Sequence, residues 1–214
     1  MDDTKTWELI HKERAAMADT LASLRKGQWA EPSLCGAWSV QVAATHIVRG
    51  AEQTKARFMK RMAANGFRFN KMIDRDARSL GALPPSEIIT RLRARTTTTN
   101  GPPAPVMTML GEIVVHGQDI RGAIGEPADP DPEAIAACLQ MYSGANFPVG
   151  TKKRISGLRL VATDAGWTHG AGAEVSGPGL SLLMAMTGRS AGLKGLSGDG
   201  VANLRSRMPR NASI

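Results

Sequence analysis

The chain has 214 residues, of which 42% are hydrophobic and 21% charged, with a formal net charge of +8. This composition is ordinary for a globular protein, and two cysteines, Cys35 and Cys138, are too few for a disulfide scaffold. No apolar run reaches the roughly 18 residues of a membrane helix, and the acidic start MDDTKTWELI is not a secretory signal. We therefore expect a reduced, cytoplasmic protein without membrane spans.

The positive charge is concentrated in the C-terminal part of the chain. From residue 152 onward, nine Lys or Arg face only three acidic residues. Such a region attracts anions, meaning small carboxylates, phosphates or nucleic acid, or it forms a solvated surface that aids solubility. Nucleic acid is the weakest of these interpretations, because the sequence has no zinc-finger spacing and no RNA-binding signature.

The first part of the chain has the periodicity of helices. Ser39 is a candidate N-cap for one of them, and Gly125 is a candidate stop for another. The predicted helices cover residues 4–25, Val40 to the low 60s, a stretch after Pro84-Pro85, about 104–124, and 132 to about 144.

The pattern changes to alternation near residue 147. Leu158, Leu160 and Ala162 have the period of a strand, and two further short strands are predicted from Trp167 and within residues 171–177. A compact apolar helix follows Pro178, and the tail predicts a last strand and helix. Helices first and a small strand-rich part afterwards predict an α+β fold, with a helical bundle over 1–147 and a small α+β domain over 148–214.

The predicted helix MLGEIVVHGQDIRGAIG, residues 109–125, carries polar groups among apolar ones. At 100° per residue, Glu112, His116 and Asp119 share one face. A carboxylate and an imidazole are costly inside a bundle unless something satisfies them, and a metal ion does so. A glutamate four residues before a histidine also occurs on many solvated helices, which is the simpler interpretation of this motif taken alone.

A second histidine strengthens the metal interpretation. His46, in WSVQVAATHIV, lies two turns after Ser39 and is flanked by apolar residues. A lone histidine there is more often a satisfied core residue. Two histidines and one glutamate on two apolar helices match a common catalytic zinc arrangement with an open fourth position. The motif lacks a glutamate between paired histidines, so a metalloprotease-like hydrolase ranks low.

These stretches resemble a known family. PSLCGAWSVQVAATHI followed by MLGEIVVHGQDIRGAIG is similar to the mycothiol-dependent maleylpyruvate isomerase family, one of the DinB-like metal-binding four-helix bundles. In the C-terminal part, GLRLVATDAGWTHG, VSGPGLSLLMAMTGR and LSGDG resemble that family's small sterol-carrier-like domain. The resemblance implies a DinB-like bundle over residues 1–147 and a sterol-carrier-like domain over 148–214.

The resemblance also implies site residues and chemistry. His46, Glu112 and His116 would be ligands of a divalent metal, usually zinc. Asp119 would either support the site or pair at the helix surface with Arg121 or a neighbouring helix, without being a ligand. Mycothiol would be the thiol cosubstrate, and a small electrophile, anionic or neutral, would be isomerised or S-alkylated. Arg189 and Arg159 are candidates to bind an anionic substrate, although each taken singly is an ordinary exposed charge. Arg189 and Asp119 are thus the candidate catalytic residues beside the ligands.

The alternative to an enzyme is a non-catalytic module that binds a metal or a small anion for regulation. The sequence leaves open the substrate, the choice between isomerase and S-transferase, and the oligomeric state.

Overall fold

The computed structural model describes residues 1–36, 38–126 and 130–209. These residues form two compact units, one of residues 1–33 with 38–126 and one of residues 34–36 with 130–209. The first unit is helical and the second combines helices with a three-stranded sheet, so the predicted α+β fold is confirmed. Within the described residues, no helix combines the length and the apolar character needed to cross a membrane.

The first unit is built on long amphipathic helices. Four of them, the first, second, fifth and sixth, contact one another in cyclic order α1–α6–α2–α5 and enclose an apolar core. A short 3-10 helix, Lys26–Ala30, lies between the first two. The six helices are α1 Asp3–Ser23, α2 Val40–Ala51, α3 Lys55–Ala64, α4 Phe69–Leu80, α5 Pro85–Arg93 and α6 Val106–Ile124.

Two features of this unit differ from the prediction. The helix expected from Val40 to the low 60s breaks after Ala51, and α3 starts anew where the Thr54 hydroxyl accepts a hydrogen bond from the backbone N–H of Arg57. Helix α4 was not predicted. Its few apolar side chains, among them the fully buried Met72, are stabilised by contact with α2, which local sequence does not show.

The second unit contains the remaining helices and the sheet. The strands follow the order β2–β1–β3, and β1 pairs antiparallel with β2 and parallel with β3. Helix α9, with six of its eight residues buried, packs against α7 and β1. The elements are α7 Pro132–Ser143, α8 Thr151–Arg154, β1 Leu158–Ala162, β2 Thr168–His169, β3 Ala173–Gly177, α9 Gly179–Met186, a 3-10 helix Ser190–Gly195, and α10 Val201–Ser206.

The sequence predicts a boundary between residues 147 and 148, whereas the structure divides the chain between residues 126 and 130. Helix α7 packs on α9 and thus belongs to the second unit, whereas its apolar periodicity alone resembled that of another bundle helix. The predicted last strand is a single antiparallel bridge between Ser176 and Ser197, and α10 follows it. The end of the predicted C-terminal domain, residues 210–214, lies outside the described residues.

Candidate metal centre

Helix α6 carries two polar side chains, those of His116 and Asp119, into the interior of the first unit, and a third, that of Glu112, which is 41% exposed. Apolar residues such as Leu110 pack this helix against α1 and α2, and Gly125, with φ of 72°, ends it in the left-handed conformation that glycine adopts without strain. His116 is 6% exposed and Asp119 is fully buried. The sequence therefore places an imidazole and a carboxylate where water does not compensate for them.

Helix α2 supplies the fourth polar group. Its first turn is capped by the Ser39 hydroxyl, which accepts a hydrogen bond of 3.3 Å from the backbone N–H of Val42. Two turns later, His46 is 4% exposed. Because α2 packs against α6, the rings of His46 and His116 meet edge to face, with centroids 4.6 Å apart and an interplanar angle of 81°.

The three residues predicted as ligands thus lie together. The Oε2 atom of Glu112 is 3.9 Å from Nε2 of His46. Two ligands at about 2.0–2.1 Å from a tetrahedral zinc ion are about 3.3 Å apart, so these two atoms lie somewhat farther apart than two ligands of one zinc ion. The donor set of two imidazoles and one carboxylate suits a divalent cation with an open position. The types of the residues present fit such a metal, and their role as ligands stays a prediction.

Asp119 lies directly behind one of these histidines. Its Oδ2 is 2.9 Å from Nδ1 of His116. Since a carboxylate accepts hydrogen bonds, this contact places the ring proton on Nδ1 and leaves the lone pair on Nε2. Histidine ligands are commonly oriented in this way by a carboxylate on the other ring nitrogen. The position of Asp119 therefore suits the supporting role that the sequence predicts.

A small pocket of about 20 Å³, room for about one water molecule, opens beside the Glu112 carboxylate. A Cβ atom at Gly50 would lie 3.2 Å from Oε2 of Glu112, so a larger residue there would crowd the carboxylate. The pocket is lined by Arg14, Ile47, Gly50, Ala51, Met109, Glu112 and Ile113.

At this pocket, burial and the neighbouring charges shift the pKa values of Glu112 and Arg14 in opposite directions. Burial raises the pKa of Glu112, and the positive charges of His116, when its ring is protonated, and of Arg14 act against that rise. Burial lowers the pKa of Arg14 to about 10, and Glu112 acts in the opposite direction. At neutral pH Arg14 is therefore still a cation, and it stands beside the carboxylate.

Sequence reasoning missed Arg14. The residue is 3% exposed and its Nη1 donates to the backbone carbonyls of Thr98, at 2.9 Å, and Arg95, at 3.3 Å. A signal was present, because Arg14 lies four residues after Ile10 and three before Met17, on the apolar face of α1. An arginine on such a face calls for a buried partner.

Trp38 was also missed, and it touches both histidines. Its ring centroid is 5.1 Å from that of His46 and 5.9 Å from that of His116. Its indole N–H donates to Oδ1 of Asp74 on α4, at 2.8 Å. The indole N–H is thus anchored by Asp74, and the indole ring contacts both imidazole rings.

The tether between Trp38 and Asp74 makes a pH-dependent contribution to stability. Burial acts to raise the pKa of Asp74, but hydrogen bonds from Arg78 and Trp38 lower it below its ordinary value of 3.8. The ionised carboxylate therefore stabilises the fold above that pH, and the stabilisation disappears as the pH falls through the lower, folded-state pKa. The partly exposed carboxylate limits the effect to about 1 kcal/mol.

We expect Asp74→Asn to lower the free energy of unfolding by up to about 1 kcal/mol at pH 7. The amide oxygen still accepts from the indole, but the variant loses the charge and the second acceptor for Nε of Arg78. Urea unfolding at decreasing pH should show the difference between variant and wild type shrinking as the pH falls below 3.8 towards the lower, folded-state pKa, where the wild-type carboxyl takes up a proton. A difference that stays constant with pH would contradict this explanation.

The two arginines proposed for substrate binding differ in environment. Arg159 on β1 is exposed and pairs with Glu174, which agrees with the alternative interpretation of this arginine as an ordinary exposed charge. Arg189, after α9, is 2% exposed, so the alternative interpretation of it as an exposed charge is wrong. Its Nη1 donates to the carbonyl of Thr187 at 2.9 Å, and its Nη2 is 3.5 Å from Sγ of Cys35 in the same unit. Its role in binding substrate stays a prediction.

Comparison with known proteins supports the resemblance. Residues 10–105 match the model of the mycothiol maleylpyruvate isomerase N-terminal domain family, a range that includes His46 and ends before Glu112. A crystal structure of the mycothiol-dependent maleylpyruvate isomerase aligns with a TM-score of 0.66 at 15% identity, over 99% of this chain and 96% of that one. A histidine-to-alanine mutant of that enzyme aligns over the same shares with a TM-score of 0.66 at 14% identity. No curated protein matches in sequence.

Proposed function

We propose that this chain, whose N-terminal half matches the mycothiol maleylpyruvate isomerase N-terminal domain and whose fold matches that of the enzyme, is a metal-dependent isomerase that uses mycothiol as its thiol. The observation that carries the proposal is the convergence of His46, Glu112 and His116 from two helices, with Asp119 behind one of them. Transfer of the thiol to a small electrophile is the alternative outcome of the same chemistry.

The four polar residues of the candidate centre have distinct roles in the proposed reaction. His46, Glu112 and His116 would hold the metal, for which zinc is the first candidate. A bound divalent cation stabilises the thiolate form of a thiol at neutral pH. With two neutral imidazoles and one carboxylate, the ligands neutralise only one of the two positive charges, so the site favours an anion. Asp119 keeps His116 in the tautomer that leaves Nε2 free of a proton.

The reaction proposed for the thiolate balances without an oxidant or reductant. The sulfur forms a bond to one carbon of a double bond conjugated to a carbonyl, and the π electron pair moves to the carbonyl oxygen as an enolate. The former double bond, now single, rotates. The enolate pair then returns, the carbon–sulfur bond breaks, and the trans double bond forms with release of the thiolate. An isomerase therefore consumes no thiol, whereas a transferase retains the carbon–sulfur bond and protonates the carbon.

An anionic substrate needs a cation in addition to the site in the first unit. Arg189 is the candidate that we propose for this part, because it is charged, buried and held in place by its hydrogen bond to the Thr187 carbonyl. A guanidinium held in this way recognises a carboxylate with little loss of side-chain freedom.

The 214-residue chain, incubated with maleylpyruvate, should isomerise it only when mycothiol is present, and the thiol should be recovered unchanged. Glu112→Gln, which keeps the size of the side chain but removes its charge, should lose this turnover. Product formation followed by ultraviolet absorbance, with thiol titration in parallel, gives both readings. Metal binding without turnover of maleylpyruvate or of a broad panel of electrophiles would instead support the non-catalytic regulatory module.

A further inference from the structure

The segment that contains helices α3 and α4, residues 55–79, is strongly basic. It carries eight Lys or Arg residues and only two acidic residues. Both acids are paired within the segment, Asp76 with Arg61 and Asp74 with Arg78. The other six bases are exposed and form no ion pair within residues 1–36, 38–126 and 130–209: Lys55, Arg57, Lys60, Arg68, Lys71 and Arg75. The segment therefore presents a surplus of positive charge to solvent, and this charge attracts anionic surfaces.

The same segment also exposes two large apolar side chains. Across the part of the chain that the structure describes, four such side chains are at least half exposed, and two of them lie here, Met59 at 50% and Phe67 at 67%. None of the ten described residues of α3 is buried. A single exposed apolar side chain is common and needs no partner, so the placement of these two matters.

Met59 lies between two lysines on the outer face of α3. At 100° per residue, that face covers an arc of about 140° and carries, in order, Lys55, Met59, Ala63, Ala56 and Lys60, all of them exposed. Its centre is apolar and both of its edges are lysines. Lysines at such edges extend to lipid headgroups, while the apolar centre enters the boundary with the acyl chains. A nucleic acid also offers phosphates, but it has no apolar layer for a methionine.

The opposite side of α3 attaches the helix to α4. The rings of Phe58 and Phe69 lie with their centroids 6.5 Å apart, and Nε of Arg61 donates to Oδ2 of Asp76 at 2.7 Å. Phe58 and Arg61 lie about half a helix turn around from the centre of the outer face. The outer face of α3 therefore points away from α4 and is open to a partner.

Phe67 has a backbone conformation that phenylalanine seldom adopts. Its φ is 58°, in the left-handed region, and it follows Gly66, whose φ is 61°. The backbone N–H of Phe67 donates to the carbonyl of Met62 at 2.8 Å, which fixes the residue beside the last turn of α3. Glycine or asparagine would suit this turn better, because the left-handed region crowds a Cβ atom. An exposed aromatic ring that costs stability is typical of a contact site.

We infer that the α3–α4 segment binds the surface of a bilayer that contains anionic phospholipids, with Met59 and Phe67 entering the headgroup boundary and the six exposed bases facing the lipid phosphates. Such a contact needs no helix that spans the bilayer. A second copy of this chain is a poor partner, because its own segment carries the same surplus of positive charge. None of these residues belongs to the candidate metal centre, so the surface and the centre can be tested separately.

Co-sedimentation of the 214-residue chain with lipid vesicles tests this surface. Vesicles of phosphatidylglycerol and phosphatidylcholine should carry the chain into the pellet at low salt, whereas vesicles of phosphatidylcholine alone should not. Added sodium chloride should weaken the binding. Phe67→Asn should bind the anionic vesicles about tenfold more weakly, because it has no ring to bury. Asparagine tolerates the left-handed conformation, so this variant should fold as the wild type does, which circular dichroism checks.

Substitutions of lysine test the electrostatic part of the contact. Lys55→Gln and Lys60→Gln should each weaken binding to the anionic vesicles roughly fivefold. Lys152→Gln and Lys153→Gln are the matched controls, because they remove the same charge from exposed lysines of the second unit. Phe147→Asn is the control for the ring, since Phe147 is 68% exposed in that unit. All three control variants should bind the vesicles nearly as the wild type does.

Several results would overturn the inference. One is failure of the wild type to bind anionic vesicles at low salt, and another is equal binding to neutral vesicles. Equal losses in the segment variants and in their controls would show that only the net charge of the chain matters. An unchanged affinity of Phe67→Asn would show that the ring does not enter the bilayer. Binding of a DNA or RNA fragment in place of the anionic vesicles would assign the basic surface to nucleic acid instead.

Discussion

Replacing His46 by glutamine is expected to lower the metal content of the purified chain from about one ion to near zero and to abolish thiol-dependent turnover. Glutamine fills most of the space of the imidazole, so the contacts with Trp38 and His116 are largely kept. The variant should therefore stay folded while losing one of three metal donors. Elemental analysis, circular dichroism and the maleylpyruvate assay, run on one preparation, measure metal, fold and activity together.

His169→Gln is the control for that substitution. It removes the same ring from β2 in the second unit, where the imidazole stacks on Trp167 with centroids 5.7 Å apart. It should leave metal content and turnover unchanged. A His46→Gln variant that retains a full complement of metal would show that His46 is a core residue and not a ligand.

Replacing Asp119 by asparagine is expected to weaken metal affinity or activity by about 10–100-fold. The asparagine is nearly isosteric, but its amide nitrogen can donate to Nδ1 of His116. This contact favours the tautomer that carries its proton on Nε2, where the metal would bind. A chelator competition that measures the zinc Kd detects this loss directly.

A purely structural role for Asp119 predicts a different result. Removing the charge of a fully buried carboxylate would then lower the melting temperature and leave the zinc Kd of the folded chain unchanged. Asp164→Asn provides the comparison, because Asp164 accepts a hydrogen bond from the backbone N–H of Gly179 in the second unit. That variant should change stability alone. If Asp119→Asn behaves in the same way, the tautomer argument is wrong.

The parts of the fold that local signals determine could be predicted from the sequence. The cap at Ser39 and the left-handed Gly125 mark helix ends, and both are found where they were expected. The break after Ala51 and the whole of α4 could not be predicted. Five of the twelve residues of helix α4 are charged, and its apolar residues are buried mainly by contact with α2. The assignment of α7 to the second unit likewise depends on a contact with α9, distant in sequence.

In the candidate site, too, neighbours on one helix could be predicted from the sequence, whereas contacts between distant residues could not. Glu112, His116 and Asp119 lie on one face of one helix, so spacing alone predicts that they are neighbours. Their proximity to His46 required the family resemblance. Trp38 and Arg14 were missed because their partners are distant in sequence: Asp74 lies 36 residues after Trp38, and the carbonyl of Thr98 lies 84 residues after Arg14. Periodicity places Arg14 on the apolar face of α1, but it does not identify the distant partner of a buried polar group.

Metal analysis of the purified wild-type chain tests the proposed centre most directly. After removal of loosely bound ions by dialysis, plasma mass spectrometry should find about one divalent metal ion per chain, with zinc as the first candidate. Chelation followed by titration with zinc should restore that ratio. A chain that is purified without a divalent metal and then fails to bind added zinc, manganese, iron, cobalt or nickel tightly would contradict the assignment of His46, Glu112 and His116 as ligands.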